Sequence, residues 1–209
     1  VNCALVGKEK SKIINNASCT TNCIAPIMAI LDEVFGIEKA FMSTVHGYTA
    51  DQNLQDGPHK DLRRARAAAE NIVPTSTGAA KAVGEVKTNL KGIFDGIAFR
   101  VPVPTCSLSD ITAVLKKNVT KEEINKALIA ASKTARFKGI LITTEEPLVS
   151  SDYIGNTNSS IVDLPLTNVV GGNLVKVVAW YDNETGYSQR LVEMAELFAD
   201  IPEALANSV

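Results

Sequence analysis

Two residues in this sequence suit nucleophilic chemistry if the fold brings them together: a cysteine opening a helical run and a histidine closing a strand-like one. Ser18-Cys19-Thr20-Thr21-Asn22 leads into apolar residues at helical spacing, so Cys19 falls in a first turn. There the helix dipole and unpaired main-chain N–H groups favour a thiolate, lowering a cysteine pKa from about 8.5 by one to several units. The same N–H groups can hold an anion or a developing oxyanion. A buried structural cysteine is the alternative. Cys23, one turn further in and followed by Ile24 and Ala25, reads as inert. His46, followed by Gly47-Tyr48-Thr49, is the general base such a thiol needs. Taken alone, it has the ordinary reading of a structural histidine. His59, in the turn-like Asp56-Gly57-Pro58-His59-Lys60, is assigned no chemistry.

Candidate anion ligands surround this pair in the sequence. Arg63, Arg64 and Arg66 form a solvated charge run or place a guanidinium over a phosphate, whose geometry it matches in bidentate fashion. Thr75-Ser76-Thr77-Gly78 follows Pro74 and opens a helix, another anion-binding terminus. Arg100 lies mid-strand in Ala98-Phe99-Arg100-Val101-Pro102, where a charge needs a partner or a ligand. Two anion sites flanking a thiol suit a phosphorylated substrate and a second phosphate.

The elements that must position these residues follow from periodicity and capping. A helix is predicted over Cys19–Phe35, capped from the Asn15–Ser18 segment, ended by Gly36 and bent at Pro26. Ala40–Tyr48 reads as a strand, and the polar stretch from Thr49 through Asn71 as a long, partly irregular loop. Helices are predicted at Gly78–Leu90, at Lys121–Ala135 behind the capping box Thr120-x-x-Glu123, and at Glu184–Asp200. Further strands are predicted at Ile97–Val103, Ser107–Lys116, Ile140–Thr144, Ser160–Leu164 and Leu174–Tyr181. Strands cluster instead of alternating with helices, so the fold class is α+β, with a mostly antiparallel or mixed sheet and helices on one face. No G-x-G-x-x-G occurs, so no dinucleotide-binding (Rossmann) half is recognisable.

Composition bounds the rest. The 209 residues are 45% hydrophobic and 21% charged, as in a globular protein. A chain this long buries about 70% of its unfolded surface and needs no disulfide or metal staple. The net charge of −2, from 21 basic and 23 acidic residues, argues against nucleic-acid or membrane-surface partners. Aromatic residues, at 5%, are too few for a base-stacking surface. No apolar run is long enough to span a membrane, and no signal peptide is read. Cys3, Cys19, Cys23 and Cys106 make no C-x-x-C, and two histidines away from ligand spacing give no zinc site, so no metal is expected. A reducing cytoplasm fits this cysteine usage.

Taken together, the motifs resemble the catalytic domain of phosphorylating glyceraldehyde-3-phosphate dehydrogenase, bacterial in type. They are Ala17-Ser18-Cys19-Thr20-Thr21-Asn22-Cys23, Thr44-Val45-His46-Gly47-Tyr48-Thr49, and His59-Lys60-Asp61-Leu62-Arg63-Arg64-Ala65-Arg66. Ser76-Thr77-Gly78-Ala79-Ala80-Lys81-Ala82, Phe99-Arg100-Val101-Pro102 and Trp180-Tyr181-Asp182-Asn183-Glu184 complete the series. Six such stretches in order are specific. The resemblance implies that Cys19 attacks an aldehyde to give a thiohemiacetal, with His46 as its base. Hydride would pass to NAD, and inorganic phosphate would cleave the resulting thioester.

By the same resemblance, Thr49 and Arg100 match positions holding the substrate phosphate. Ser18, Thr20, Arg64, Thr77 and Gly78 match positions binding the attacking phosphate or substrate. Asn183, with Tyr187 nearby, matches a contact to the nicotinamide. The whole of 1–209 would be catalytic domain, with the helix of 184–209 docking on an N-terminal NAD-binding domain that this sequence lacks. Its apolar stripe, Tyr187, Leu191, Met194, Ala195 and Phe198, would be flanked by Arg190, Glu193, Glu196 and Asp200. A homo-oligomer, a tetramer in the intact family, is implied, and Pro58 leans towards NAD over NADP. An erythrose-4-phosphate dehydrogenase, or a non-catalytic assembly module, is the alternative function.

Overall fold

The computed structural model describes residues 15–199; Cys3 and the end of the predicted last helix lie outside that range. A mixed eight-stranded sheet carries the described chain, with strand order β2-β3-β1-β4-β8-β6-β5 and β7 paired to β8. The strands are β1 (Ile37–Gly47), β2 (Val73–Ser76), β3 (Phe94–Val101), β4 (Ser107–Leu115), β5 (Leu141–Thr144), β6 (Ser160–Asp163), β7 (Asn168–Val170) and β8 (Leu174–Tyr181). Only the β1–β3 and β5–β6 pairings are parallel. The helices are α1 (Cys19–Phe35), α2 (Ala79–Val86), α3 (Lys121–Ser132) and α4 (Thr185–Ala199). The α+β reading holds, with a mixed sheet.

α1 is the central prop. Ser18 holds extended backbone, and its hydroxyl accepts the Thr21 N–H at 3.0 Å, as a cap should. The helix continues unbroken through Pro26 and stops at Gly36, whose φ of +73° suits a residue without a Cβ. It packs on β1, β4, β6 and β8, with α2 and α3 beside it in the same layer. Strand alternation supplies the other half of the core: Met42, Ile111, Leu115, Val175 and Val177 point at the helices and are buried. Residues of the opposite parity, such as Phe41 and Val45, remain substantially exposed on the far face.

Several boundaries differ from the sequence reading. β3 begins at Phe94, not Ile97, because Asp95-Gly96 is strand and not turn. A Cβ on Gly96 would come within 2.6 Å of the Met42 side chain, so the close approach of β1 and β3 requires glycine there. β2, where the sequence reading placed no strand, is a four-residue edge strand containing Pro74, tolerated at an edge because no ladder partner waits on its outer side. β7, three residues long, was also missed. The helix predicted over Gly78–Leu90 stops at Val86 and resumes as a 3-10 turn at Thr88–Leu90. Among the described residues, no helix is long and apolar enough to cross a membrane.

Candidate active site

The sheet register gathers the site. Arg100 on β3 pairs with His46 on β1, His46 with Ser107 on β4, and Ser107 with Tyr181 on β8. These four residues thus form one row across four strands, and the first turn of α1 lies against it. Cys19 Sγ stands 3.5 Å from His46 Nε2, although 27 residues separate them in sequence. His46 Nδ1 is 2.7 Å from the carbonyl oxygen of Gly47, which only accepts, and as close to Arg100 Nη1, which only donates; in the tautomer that gives its proton to the carbonyl, Nε2 is the basic nitrogen facing the thiol. The Arg100 Nη1 donates to the same Gly47 carbonyl at 3.2 Å and crowds Nδ1 at 2.7 Å.

Burial changes the electrostatics expected from the sequence. It pushes the Cys19 thiol above its ordinary pKa, against the pull of the Thr20 main-chain N–H, the Thr20 hydroxyl, the Arg100 charge and the Cys19 N–H. Burial and then Arg100 press the His46 imidazole down to about 4, while the Gly47 carbonyl pulls the other way. Burial therefore favours a neutral thiol beside a neutral imidazole, against the thiolate that the helix terminus favours. The helix-terminus effect is present but smaller than desolvation. Opposite charges about 3.5 Å apart attract by roughly 5 kcal/mol at an effective dielectric near 20. Against it stands the gap between an imidazole at about 4 and a thiol raised above 9, about 7 kcal/mol or more, so the attraction offsets most of the cost and the proton moves to Nε2 as the sulfur attacks.

The predicted anion ligands fall into two groups beside this pair. Arg100 is partly buried, and its Nε is enclosed without a partner among the described residues. Desolvation and the nearby charge of Arg64 both hold its guanidinium below the usual arginine range. Thr49 follows three residues after His46 and is half-buried. Arg64 is paired with Asp51 and Asp61 and donates to the Ser76 carbonyl at 3.4 Å, which ties the arginine loop to the Ser76-Thr77-Gly78 turn. The Thr77 hydroxyl accepts the Ala79 N–H at 3.2 Å just before α2, whose N-cap residue is the exposed Gly78. Ser18 spends its hydroxyl on Thr21, and the Thr20 hydroxyl turns inward to Tyr181, leaving main-chain N–H groups as their outward donors. His59 lies near Asp51 and takes no part in the Cys19–His46 contact.

Asn183 joins the row through Ser107. The Ser107 hydroxyl accepts the Gly47 N–H at 3.3 Å, so its single proton goes to Asn183 Oδ1 at 3.0 Å. That fixes the amide with its nitrogen turned away from Ser107. Asp182, just before it, accepts main-chain N–H groups from Gly155, Glu184 and Thr185 at 2.8–2.9 Å and so starts α4. Tyr187 is half-buried near the start of that helix. Ser107, Asp182 and Tyr181 were not singled out as site residues; small polar side chains at the inward positions 107 and 109 were the available signal.

Two expectations for α4 need correction. Leu191 is 48% exposed, as the predicted stripe requires, but Arg190 is buried, donating to the Gly139 carbonyl at 2.7 Å and pairing with Glu193. The α4 helix starts at Thr185, not Glu184. The side chain of Phe198 lies outside the description. A groove of about 740 Å³ between α1 and α3 contains none of these site residues. Among the described residues, no group of three histidine, cysteine, aspartate or glutamate side chains is arranged to hold a metal ion.

Comparison with known proteins converges on one family. The sequence model described as "Glyceraldehyde 3-phosphate dehydrogenase, C-terminal domain" matches residues 18–183. The chain is 61% identical over 185 residues to a glyceraldehyde-3-phosphate dehydrogenase of Mycobacterium avium, covering 88% of this chain and 54% of that protein. It is 58% identical over 187 residues to that of Geobacillus stearothermophilus, covering 90% and 56%. Against the Borreliella burgdorferi protein it is 59% identical over 186 residues, covering 88% and 56%. The chain thus spans about half the length of the curated relatives it matches.

Proposed function

Because the chain belongs to the glyceraldehyde-3-phosphate dehydrogenase family, matching its C-terminal domain, we propose that it carries the covalent chemistry of a phosphorylating aldehyde dehydrogenase. The reaction is the NAD-dependent oxidation of glyceraldehyde 3-phosphate to 1,3-bisphosphoglycerate in glycolysis. The observation that carries this reading is the Cys19–His46 contact at 3.5 Å, with Arg100 against the other side of the same imidazole.

His46 Nε2 takes the thiol proton as Cys19 Sγ bonds to the aldehyde carbon; returned to the carbonyl oxygen, that proton completes a thiohemiacetal. Nε2 then takes the hydroxyl proton as the carbon is oxidised, leaving a thioester on Cys19. A nicotinamide, when bound, supplies the hydride acceptor. A phosphate oxygen attacks the acyl carbon, the C–S bond breaks, and the sulfur regains its electron pair. Arg100 and Thr49 hold the substrate's phosphate. Ser18, Thr20, Arg64, Thr77 and Gly78 bind the attacking phosphate or the substrate, through main-chain N–H groups and guanidinium.

Asn183 fits a carboxamide, because Ser107 takes its oxygen and leaves the amide nitrogen to donate to a carbonyl; Tyr187 stands near it. Those two residues do not orient a dinucleotide unaided, and positioning is worth about 7–11 kcal/mol. The 209-residue chain alone should therefore produce no appreciable NADH. A cofactor-binding domain would cover α4, where Leu191, Val192 and Leu197 stay about half exposed beside a groove of about 350 Å³ against α1. The exposed Phe41 and Val45 on the far sheet face favour a homo-oligomer. The cytoplasm, where thiols stay reduced, is the proposed location.

Acylation by p-nitrophenyl acetate tests the covalent half without cofactor. One acetyl group should appear on Cys19 and be released faster in phosphate than in chloride, as acetyl phosphate. Acetylation elsewhere, or release indifferent to phosphate, would contradict the proposal.

A further inference from the structure

We propose that Tyr181 is a positioning residue for the Cys19–His46 pair, its phenol hydroxyl tying the helix turn that carries the thiol to the strand that carries the imidazole. The inference rests on the functional reading of that pair.

Tyr181 is fully buried at the end of β8. Its hydroxyl lies 2.8 Å from Thr20 Oγ1 and 2.8 Å from Thr44 Oγ1. Thr20 is the residue after Cys19. Thr44 precedes His46 by two along β1 and so shares its face of the sheet. The Tyr181 ring also meets the imidazole edge-on, with centroids 6.0 Å apart and planes at 72°. One aromatic residue thus touches both halves of the pair.

Counting protons gives the network a direction. Thr44 Oγ1 lies 3.1 Å from the Leu108 carbonyl, which can only accept, so the Thr44 proton goes there. Thr44 must then accept from Tyr181, and Tyr181 from Thr20. Three hydroxyls run in one sense from α1 to β4, each donating once. The Thr20 hydroxyl is also among the groups that favour the Cys19 thiolate. For it to turn to sulfur, Tyr181 swings its proton from Thr44 to Thr20, while Thr44 remains an acceptor for the Ser109 hydroxyl at 3.5 Å. No oxygen gains or loses a proton; only hydroxyl rotors move. Phenylalanine at 181 would keep the ring and its edge contact but remove the swing donor, leaving two buried threonine hydroxyls each short of a partner. The titratable and charged groups around the sulfur are His46 on β1, Arg100 on β3, Cys23 on α1 and the phenol itself on β8. The substitution removes only the last.

The test is the pH profile of Cys19 carboxamidomethylation by iodoacetamide, with peptide mapping, in the parent chain and in Tyr181→Phe, Thr44→Val and Tyr153→Phe. Tyr181→Phe should move the midpoint up by about half to one pH unit, slowing the reaction near pH 7 by about three- to tenfold. Thr44→Val removes the acceptor that holds the Tyr181 proton at rest, so it should move the midpoint the opposite way, down, and the double variant should match Tyr181→Phe alone. Tyr153 is a buried tyrosine whose hydroxyl has no partner among the described residues, so its replacement should leave the profile unchanged. Should Tyr181→Phe fail to fold, Thr44→Val decides. Parental profiles in both, with Cys19 still the labelled residue, would overturn the inference alone. Labelling of a different cysteine in the parent would overturn the functional reading, and the inference with it.

Discussion

The first turn of α1 holds Cys19, partly exposed and 3.5 Å from an imidazole nitrogen; the second holds Cys23, fully buried beside the Ser160 hydroxyl at 3.8 Å. Both are cysteines on one helix, four residues apart. Desolvation raises both thiols, but at Cys23 it carries the pKa to about 12, against weak help from the Ser160 and Ser109 hydroxyls. At Cys19 the Thr20 and Cys19 N–H groups at the end of the helix, the Thr20 hydroxyl and the Arg100 charge work against burial. On the proposed reading one helical turn separates nucleophile from packing: the same side chain, moved off the helix end and away from the imidazole, is core.

The largest effect that probes this contrast is on acyl transfer. Cys19→Ser should abolish acetylation by p-nitrophenyl acetate, whereas Cys23→Ser should keep the parental rate within about twofold and cost about 1 kcal/mol of stability, since the new hydroxyl can bond to Ser160. Acylation surviving in Cys19→Ser would break the contrast.

His46→Asn should slow Cys19 alkylation near pH 7 by about tenfold or more, the size expected for losing a general base. It should also flatten the acid side of the stability curve. His46 has its folded pKa pressed from 6.5 to about 4, so between those values the unfolded chain binds more protons. The stabilising contribution is complete above 6.5 and falls away as pH drops towards 4, by about 3 kcal/mol. Urea midpoints measured from pH 7 to pH 4 should show that loss in the parent and not in His46→Asn.

Asp182→Ala should destabilise the chain by about 2–3 kcal/mol, because three main-chain N–H groups lose a charged acceptor at the start of α4. Its carboxyl is raised by burial but held below its ordinary range overall by the Gly155, Thr185 and Glu184 N–H groups. Arg136→Ala, which removes the exposed pair with Glu33 far from both cysteines, should cost less than about 1 kcal/mol and leave alkylation untouched. Equilibrium unfolding in urea measures both.

Much of this site was legible before the fold. Helical spacing and the Ser18 cap placed Cys19 in a first turn, and the capping box at Thr120 marked the start of α3 as observed. Arg100, a charge in an apolar strand, was flagged because it needed a partner, and the register sets it beside His46. What pattern could not supply was depth. The helix end favours a thiolate as read, but the burial that outweighs it depends on strands that arrive from residues 94–181, far from that helix. Arg190 looked like a surface charge by spacing, yet the Gly139 carbonyl satisfies it inside. The roles of Ser107 and Tyr181 likewise depend on register, which alternation reveals only as inward or outward, never as a row.

The central claim, that Cys19 is the activated nucleophile and His46 its activator, is tested most directly by labelling the chain with substoichiometric iodoacetamide at pH 7 and mapping the modified peptide in the parent and in His46→Asn. The label should fall on Cys19 in the parent, with Cys23 and Cys106 unmodified, and the rate should drop about tenfold or more in His46→Asn. Label on Cys106 or Cys23 first, or an unchanged Cys19 rate without the imidazole, would contradict it.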